Sequence, residues 1–272
     1  YGCNIPGSVM DITGVIAACR EHSIDYVVVA PDDPLAIGMV DALKAAGIPA
    51  FGPDRKAAQI EASKSFAKNL MRKYSIPTAS YEVFTDSSEA ISYAERQSYP
   101  LVIKADGLAL GKGVIIAESR DEAISAIKDM MDNAAFGTAG QKIVIEEFLT
   151  GPEVTVLSFT DGKTVVPMVS SMDHKRAYDG DKGPNTGGMG VIAPNPFFTD
   201  SVAAECMDTI FLPTIRAMEA EGCPFSGCLY FGLMLTPSGP KVIEYNSRFG
   251  DPEAEAILPL LDSDLLEIMM AT

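Results

Sequence analysis

The stretch Leu101-Val-Ile-Lys-Ala-Asp-Gly-Leu-Ala-Leu-Gly-Lys-Gly113 joins one apolar run to a glycine-rich loop, which leads into a second apolar run ending at Ala117. Glycines allow backbone N–H groups to close around phosphate oxygens, and Lys104 and Lys112 add positive charge. The loop is not a Walker A motif, because Lys112 is followed by glycine and because a strand, not a helix, comes next. A Rossmann fingerprint fails for the same reason. The pattern therefore predicts a phosphate-binding loop between two strands or a plain glycine-rich hairpin.

The strand before this loop carries a lysine among apolar residues. Side chains alternate along a strand, so Lys104 shares a face with Val102, opposite Leu101 and Ile103. An ammonium group inside an apolar strand is costly unless it meets an anion. We therefore expect Lys104 to face a negatively charged partner or ligand.

A second strand, read from Lys142 to Phe148, ends in acidic and apolar residues. An adenine ring can lie against apolar side chains and bond the strand-end backbone, while a carboxylate accepts the ribose hydroxyls. Glu146, Glu147 and the nearby Glu153 are candidates for these contacts. Solvated charges at a strand end are the alternative interpretation.

The segment Val242-Ile-Glu-Tyr-Asn-Ser-Arg248 places Glu244 and Asn246 on one side of a strand, with Arg248 just beyond. Two oxygen ligands at this spacing suit Mg²⁺ held jointly with substrate phosphates, and the arginine can neutralise transferring phosphoryl charge. An edge strand with polar residues facing outward would show the same pattern.

A long polar loop, Asp173 to Pro196, contains four glycines between positions 183 and 190. Loops of this length inside a compact domain are functional or disordered, and close backbone approach to a ligand explains the glycines. His174 is a candidate general base without an identified partner, and a loop hydrogen bond is the alternative role for it.

The order of helical and apolar segments predicts a mixed α/β and α+β fold. A helix from Val9 to His22, a strand from Asp25 to Ala30, a further helix with Asp33 as its N-cap and a strand over 48–51 form a βαβ pattern. A helix capped by Ser63 follows, and then a small unit that could form a lid. We expect four parts: a partial N-terminal βαβ domain over 1–62, a linker helix over 63–79, a lid over 80–149, and a core over 150–272 that holds the metal and substrate sites.

Composition narrows the class of protein. The formal net charge of -16 would repel a polyanion, which argues against nucleic acid as a partner. No apolar run approaches the roughly 18 residues that a membrane helix needs. Five cysteines without paired spacing, and only two histidines, predict neither disulfides nor a zinc site, so a reducing cytoplasm fits best.

Taken together, these segments resemble the phosphoribosylamine–glycine ligases, or glycinamide ribonucleotide synthetases, of the ATP-grasp superfamily. The resemblance extends over nearly the whole chain, and several motifs in the same order carry it: Phe51-Gly-Pro53, Ser63-Lys-Ser-Phe-Ala-Lys68, Lys104-Ala-Asp-Gly107, Gly111-Lys-Gly113, Ile145-Glu-Glu-Phe-Leu149, Asp173-His-Lys-Arg-Ala-Tyr-Asp179, Gly183-Pro-Asn-Thr-Gly-Gly-Met-Gly190 and Arg248-Phe-Gly-Asp-Pro-Glu253.

The resemblance implies an ATP-grasp fold, with ATP and Mg²⁺ or Mn²⁺ as cofactors and with glycine and phosphoribosylamine as substrates. The implied catalytic residues are Lys104, Arg248 and Asp251. The implied ATP-binding residues are Lys64, Lys104, Gly107, Gly111, Lys112, Gly113, Glu146, Glu147, Phe148, Leu149 and Glu153. The implied metal ligands are Glu244 and Asn246, and the substrate would contact Asp173, Lys175, Arg176, Asp179, Asn185, Thr186, Gly187, Gly188, Met189, Arg248, Gly250, Asp251, Pro252 and Glu253.

Two other functions remain open from the sequence. A different ATP-grasp ligase or carboxylase would share the nucleotide site and differ in the loop from Asp173 to Gly190 and in the turn after Arg248. A non-catalytic nucleotide-binding fragment is the second alternative. Family members also have a strand and a Gly-Gly-Arg-Glu-His-type loop before this region and a further domain after it, so we expect these residues to be part of a longer chain. Fusion to, or association with, other purine-pathway domains is possible.

Overall fold

The computed structural model describes residues 2–109, 113–180, 182–186 and 188–272. Within these ranges the chain forms two four-stranded antiparallel sheets, a small N-terminal unit and several surrounding helices. Among the described residues, none of the helices has both the length and the apolarity needed to span a lipid bilayer.

The N-terminal unit packs short helices around a two-stranded parallel sheet. Its elements are α1 (Ile12–Glu21), β1 (Val27–Val28), α2 (Asp32–Ile37), α3 (Met39–Ala45) and β2 (Ala50–Phe51), with β1 parallel to β2. The βαβ prediction is confirmed, but three details were wrong. The first helix begins at Ile12, where the Asp11 carboxylate accepts from the Gly14 N–H. The single helix predicted after β1 is divided into two by Gly38, whose φ of +91° ends α2.

The expected cap of that second helix was also wrong. Asp33 lies inside the first turn of α2, which begins one residue earlier at Asp32 and follows Pro31. Pro34 can occupy this turn because the first four N–H groups of a helix have no partner within the helix. Both acids therefore stabilise the positive end of the helix dipole without capping it.

Two helices, α4 (Gln59–Ala62) and α5 (Lys64–Lys73), follow the N-terminal unit. Ser63 caps α5 as predicted, since its hydroxyl accepts from the Phe66 N–H at 3.2 Å. The turn is fixed further by Asp106, whose carboxylate accepts from the Ser65 N–H. This contact ties the start of α5 to the end of a strand in the small sheet.

The small sheet has the strand order β3-β6-β4-β5 and is covered by two helices. Its elements are β3 (Tyr81–Phe84), α6 (Ser87–Ala94), β4 (Leu101–Ala105), β5 (Val114–Ala117), α7 (Arg120–Met131), a 3₁₀ turn (Gly137–Gln141) and β6 (Ile143–Glu147). Leu101, Ile103 and Ala105 point into the core beneath α6 and α7, which leaves Lys104 on the opposite face. The alternation predicted from the sequence is therefore confirmed.

The large sheet has the order β14-β13-β7-β8, formed by β7 (Glu153–Asp161), β8 (Val165–Pro167), β13 (Ser226–Thr236) and β14 (Gly239–Asn246). The turn signals Asp161-Gly162 and Pro237-Ser-Gly-Pro240 predict two hairpins, the second with a strand from Lys241. Both hairpins are present, although β14 begins two residues earlier than predicted. One face packs on α5, α8 (Asp200–Cys206) and α9 (Leu212–Ala220), with Phe211, Phe225 and Phe231 fully buried between them. Burying one such side chain contributes about 2–3 kcal/mol.

The long polar loop was expected to lack regular structure, and that was wrong. Four short strands cross it: β9 (Met172–Asp173), β10 (Arg176–Tyr178), β11 (Lys182–Asn185) and β12 (Val191–Ile192). The pairs β9–β12 and β10–β11 are antiparallel and satisfy backbone groups that a bare loop would leave unpaired. The chain then ends with α10 (Glu253–Ile257) and α11 (Leu265–Met270).

Candidate active site

A cleft of about 310 Å³ lies between the small sheet and the large sheet. The structure brings together in its lining many of the residues singled out from the sequence: Lys64, Lys104, Gly113, Glu146, Glu153, Asp173, Lys175, Thr186, Glu244, Asn246, Arg248, Gly250, Asp251 and Glu253. These residues come from α5, both sheets, the polar loop and the turn that follows Arg248. Only the tertiary fold brings them together in one site.

The floor of the cleft contains a buried acid between two lysines. The Glu146 Oε2 atom lies 2.8 Å from Lys68 Nζ, and its Oε1 atom lies 3.1 Å from Lys104 Nζ. Lys104 also donates to the Ile243 carbonyl at 3.0 Å, which joins the two sheets. Burial lowers the pKa of the Lys68 ammonium to about 8, against the opposing effect of Glu146. Lys104 thus meets an anion, as its place in an apolar strand predicts, and that anion is part of the protein.

Lys64 extends from the first turn of α5 toward the loop that follows β4. Its Nζ atom donates to the Gly107 carbonyl at 3.1 Å. Burial lowers the pKa of this ammonium, and the neighbouring Lys104 lowers it further, while Glu244 acts in the opposite direction. Two lysines close together in one cleft provide a binding site for a polyanion such as a triphosphate.

Glu244 and Asn246 both line the cleft from β14, as their two-residue spacing predicts. Lys175 Nζ lies 3.6 Å from Glu244 Oε1 and 3.9 Å from Glu153 Oε2. Burial opposes ionisation of Glu244, but Lys175, Lys104, Lys64 and Arg248 together hold its pKa below the usual range.

The donors on β14 are of the right kind for a divalent cation shared with a ligand. In the described ranges, no group of three or more His, Cys, Asp or Glu side chains is arranged to hold a metal by itself. An ionised carboxylate and an amide oxygen are nevertheless hard oxygen donors, and Mg²⁺ commonly binds through one or two such groups plus substrate phosphates. Glu244 and Asn246 therefore fit a metal that arrives with a phosphate ligand.

Arg248 is held at the edge of the cleft by a buried acid that the sequence analysis missed. Glu61 Oε1 lies 3.2 Å from Arg248 Nη2, and Glu61 Oε2 accepts from the Ser247 N–H and hydroxyl, each at 2.8 Å. Burial raises the pKa of Glu61, although Arg248 and Ser247 oppose the shift. Nothing in the local sequence distinguishes this glutamate from an ordinary helix residue, because its partners lie 186 positions away.

Acidic side chains form another part of the cleft wall. Asp173 and Glu253 approach each other there, and Glu253, only 3% exposed, receives a 3.5 Å bond from the Thr155 hydroxyl. The Asp173 Oδ1 atom is buried without a hydrogen-bond partner among the described residues. Burial, reinforced by repulsion from Glu253, raises the pKa of Asp173 to about 6. This wall suits a positively charged group on a ligand.

Gly188 explains part of the glycine content of the polar loop. It has φ of +139°, and a Cβ there would lie 2.5 Å from Pro252 Cδ and 3.0 Å from Asp173 Oδ1. Close packing of the loop on the cis Asp251-Pro252 turn therefore requires glycine. His174, considered as a general base, lies exposed with Nδ1 3.3 Å from the Gly190 carbonyl, which is the loop hydrogen bond given as its alternative.

Several predicted site residues do not line the cleft. Glu147 bonds the Ser80 N–H at 3.0 Å and pairs with Lys241 at 3.2 Å, and Phe148, beyond the end of β6, is 38% exposed. The others outside the lining are Gly107, Leu149, Asp179, Gly188, Met189 and Pro252. Arg176 and Asn185 are backbone partners across β10 and β11. Gly111, Lys112 and Gly187 lie outside the described residues.

The cleft also contains residues for which the sequence analysis gave no role. Ile60, Met71, Val102 and Leu233 provide apolar surface, while Asp32, Lys68, Tyr230 and Glu61 add polar groups. The spacing of Met71 on α5 is an ordinary core spacing, so a single sequence offers no signal that separates it from the core. All five cysteines are free, as expected, and four of them are buried.

Comparison with known proteins agrees with this geometry. A biotin carboxylase from Campylobacter jejuni, solved as a complex with β-γ-ATP, has a TM-score of 0.75 at 18% identity and covers 96% of this chain and 57% of that chain. The two chains share their fold, and the family model that matches most of this chain identifies that fold as ATP-grasp. An ATP-grasp domain model, described as that of phosphoribosylglycinamide synthetase, matches residues 62–254, and the N-domain model of the same family matches residues 3–61.

Two curated relatives are about half identical to this chain. The phosphoribosylamine–glycine ligase of Halalkalibacterium halodurans is 50% identical over 262 residues, 96% of this chain and 61% of that protein. The human trifunctional purine biosynthetic protein adenosine-3 is 51% identical over 266 residues, 97% of this chain and 26% of that protein. The crystal structure of the Thermotoga maritima ligase has a TM-score of 0.76 at 38% identity, covering 82% of this chain and 57% of that chain. This chain belongs to the phosphoribosylglycinamide synthetase family and spans about three fifths of its bacterial relative.

Proposed function

We propose that this chain is the nucleotide-binding and catalytic core of a ligase that joins glycine to 5-phosphoribosylamine, with ATP converted to ADP and phosphate, in purine biosynthesis. The observation that carries the proposal is the convergence of Lys104, Glu244 and Arg248 on one cleft, in a chain that belongs to this family. The product of the reaction is glycinamide ribonucleotide.

Phosphoryl transfer requires chiefly positioning and charge neutralisation, so no nucleophilic side chain is needed. In the first step, the glycine carboxylate attacks the γ-phosphorus of ATP, and the bond to ADP breaks. Lys64 and Lys104 neutralise triphosphate oxygens, and Arg248 with Asp251 faces the transferring group. A Mg²⁺ or Mn²⁺ ion held by Glu244 and Asn246 supplies further neutralisation of phosphate charge.

In the second step, the amine of phosphoribosylamine attacks the carbonyl carbon of glycyl phosphate, and phosphate leaves with a proton lost from the amine. The acidic wall formed by Asp173 and Glu253 suits the ammonium group of glycine, because the Asp173 Oδ1 atom is buried without a hydrogen-bond partner among the described residues. The remaining proposed substrate contacts are Lys175, Arg176, Asp179, Asn185, Thr186, Gly187, Gly188, Met189, Gly250 and Pro252.

The proposed ATP site extends beyond the lysines. We retain Gly107, Gly111, Lys112, Gly113, Glu147, Phe148, Leu149 and Glu153 as proposed contacts to the nucleotide. For Glu146 the ion pairs with Lys68 and Lys104 support a role for its side chain in holding lysines. Its backbone is paired within the sheet, so in this proposal the adenine contacts fall to the strand-end residues that follow it. The division into parts 1–62, 63–79, 80–149 and 150–272, with the third as a lid that excludes water, remains a proposal. The proposal also includes a cytoplasmic location. It further includes association with other purine-pathway domains, as in the trifunctional human relative.

Phosphate release by the purified full-length protein tests the function. We expect release to require ATP, glycine, phosphoribosylamine and Mg²⁺ together, with one phosphate formed per glycinamide ribonucleotide. Turnover with another carboxylate in place of glycine would point to a different ATP-grasp ligase. Tight ATP binding with no turnover on any amine would identify a non-catalytic nucleotide-binding protein.

A further inference from the structure

Glu61 is the last acidic residue before the cap of α5, and both oxygens of its carboxylate have polar partners. Its side chain is 6% exposed, and its two oxygens have different partners. Oε2 accepts hydrogen bonds from the Ser247 N–H and hydroxyl, and Oε1 forms the ion pair with Arg248 Nη2. A buried carboxylate with three donors is held in one orientation. Glu61 is therefore a rigid acceptor, and the arginine is the more mobile partner.

The pair joins two parts of the chain that are distant in sequence. Glu61 lies on α4, where the match to the family's N-domain model ends, and Arg248 follows β14 of the large sheet. The helix α4 packs against α2 and β14. An N-terminal residue therefore contributes to a site most of whose lining comes from the ATP-grasp domain.

Arg248 needs such an anchor because its side chain is long and partly accessible. The guanidinium is 26% exposed, lines the cleft, and donates through Nη1 to the Phe249 carbonyl at 3.1 Å. An unanchored arginine loses about 2 kcal/mol of rotamer entropy when it is fixed by a ligand. A preorganised arginine avoids that cost at the moment of reaction.

We propose that Glu61 is a positioning residue that orients the Arg248 guanidinium toward the reacting phosphoryl group and so couples the N-terminal unit to catalysis. This inference rests on the proposed function, in which Arg248 neutralises phosphoryl charge. The simpler role for Glu61, anchoring the Ser247 backbone alone, makes different predictions for a variant that keeps one acceptor.

Glu61→Gln separates the two roles. Glutamine keeps the size of the side chain but has one acceptor oxygen, so it can serve Ser247 or Arg248 and not both, and it carries no charge. In the full-length protein we expect kcat to fall about tenfold or more, while the KM for ATP changes by less than about twofold, because the lost interaction acts on the transition state. Thermal unfolding of the variant checks that the loss is not a folding defect.

A double-mutant cycle with Arg248→Ala provides the decisive comparison. If Glu61 acts through Arg248, Glu61→Gln causes no further loss of kcat in the Arg248→Ala background. Glu221→Gln is the matched control, since it removes a surface acid that pairs with Lys73 and Tyr74 away from the cleft, and its kcat should equal that of the native protein. The proposal would be overturned if Glu61→Gln lowered kcat by the same factor in both backgrounds, or if Glu61→Gln alone had the native kcat.

A crystal structure of Glu61→Gln tests the inference even if the native protein shows no ligase turnover. We expect the Arg248 guanidinium to leave its position while the backbone of Ser247 stays in place. A guanidinium that remains within coordinate error of its native position would refute the positioning role. Failure of the native protein to turn over would count against the proposed function alone.

Discussion

Lys104 Nζ lies 3.1 Å from Glu146 Oε1 in the floor of the cleft, and both side chains are at most 5% exposed. Because Lys68 pairs with the other oxygen of the same carboxylate at 2.8 Å, one acid is shared between two lysines, and this group carries a net positive charge when all three residues are ionised. An arriving phosphate therefore meets a cation that is already fixed in place and largely stripped of water.

Lys104→Met should abolish most ligase turnover. The substitution keeps the length of the side chain and removes the charge that faces the phosphates, so we expect kcat to fall about 100-fold or more. Steady-state phosphate release measures the loss, and circular dichroism checks folding. Lys142→Met is the control, because Lys142 pairs with Asp106 outside the cleft lining. A variant with native kcat would remove Lys104 from the proposed mechanism.

Glu244→Ala should weaken the response to metal more than the binding of ATP. Removal of one of two proposed ligands leaves Asn246 alone, so we expect the Mg²⁺ concentration for half-maximal turnover to rise about tenfold or more. A titration of turnover with Mg²⁺ at saturating substrates measures the shift. Glu82→Gln, which changes a half-exposed glutamate on β3, should titrate like the native protein. The assignment fails if both variants give the same curve.

Lowering the pH should weaken glycine binding, because it protonates Asp173. Its pKa is raised to about 6 by burial and by Glu253, and the charged groups Glu153, Lys175 and His174 also face it. Only the ionised form attracts an ammonium group, so kcat/KM for glycine should fall about tenfold for each unit below pH 6. In Asp173→Asn this inflection should be absent, and a profile that keeps it would assign the titration to another group.

The same carboxylate should influence stability in the opposite direction. A raised pKa means that the folded protein binds the proton more tightly than the unfolded chain, so native stability falls as the pH rises from about 4 to about 6. Asp173→Asn removes this dependence. Urea unfolding across that range should therefore show a flatter profile for the variant, and a profile parallel to that of the native protein would contradict the linkage.

Glu146→Ala should destabilise the fold more than Lys68→Met. Loss of the acid leaves two buried ammonium groups without their shared counter-ion, which costs about 3–5 kcal/mol in comparable sites, whereas loss of Lys68 leaves the acid paired with Lys104. Urea denaturation gives the free energy of unfolding for each. Glu147→Ala changes the next residue of β6, which is partly exposed. It therefore shows how much any truncation on this strand lowers stability, apart from loss of the buried counter-ion. If Lys68→Met were the more destabilising of the two, Lys104 alone would not be sufficient to stabilise the Glu146 carboxylate.

Local patterns predicted much of the fold because they depend on neighbouring residues. The cap at Ser63, the alternation that places Lys104 opposite Leu101 and Ile103, and the two hairpins of the large sheet all follow from rules that act over a few positions. The errors lie where tertiary contacts compete with local preference. The polar loop forms short strand pairs, and Gly38 divides a helix that its neighbours would continue.

The sequence alone determined the class of fold, the glycine-rich and acidic segments, and the candidates on β14, because hydrophobic period and local spacing encode them. Only the tertiary structure decided that Lys104 faces Glu146 and that Glu61 holds Arg248, since each pair joins segments far apart in the chain. Charge pairs of this kind depend on which faces meet when sheets and helices pack. That arrangement is set by burial of the whole core, and neither position in the sequence identifies its partner.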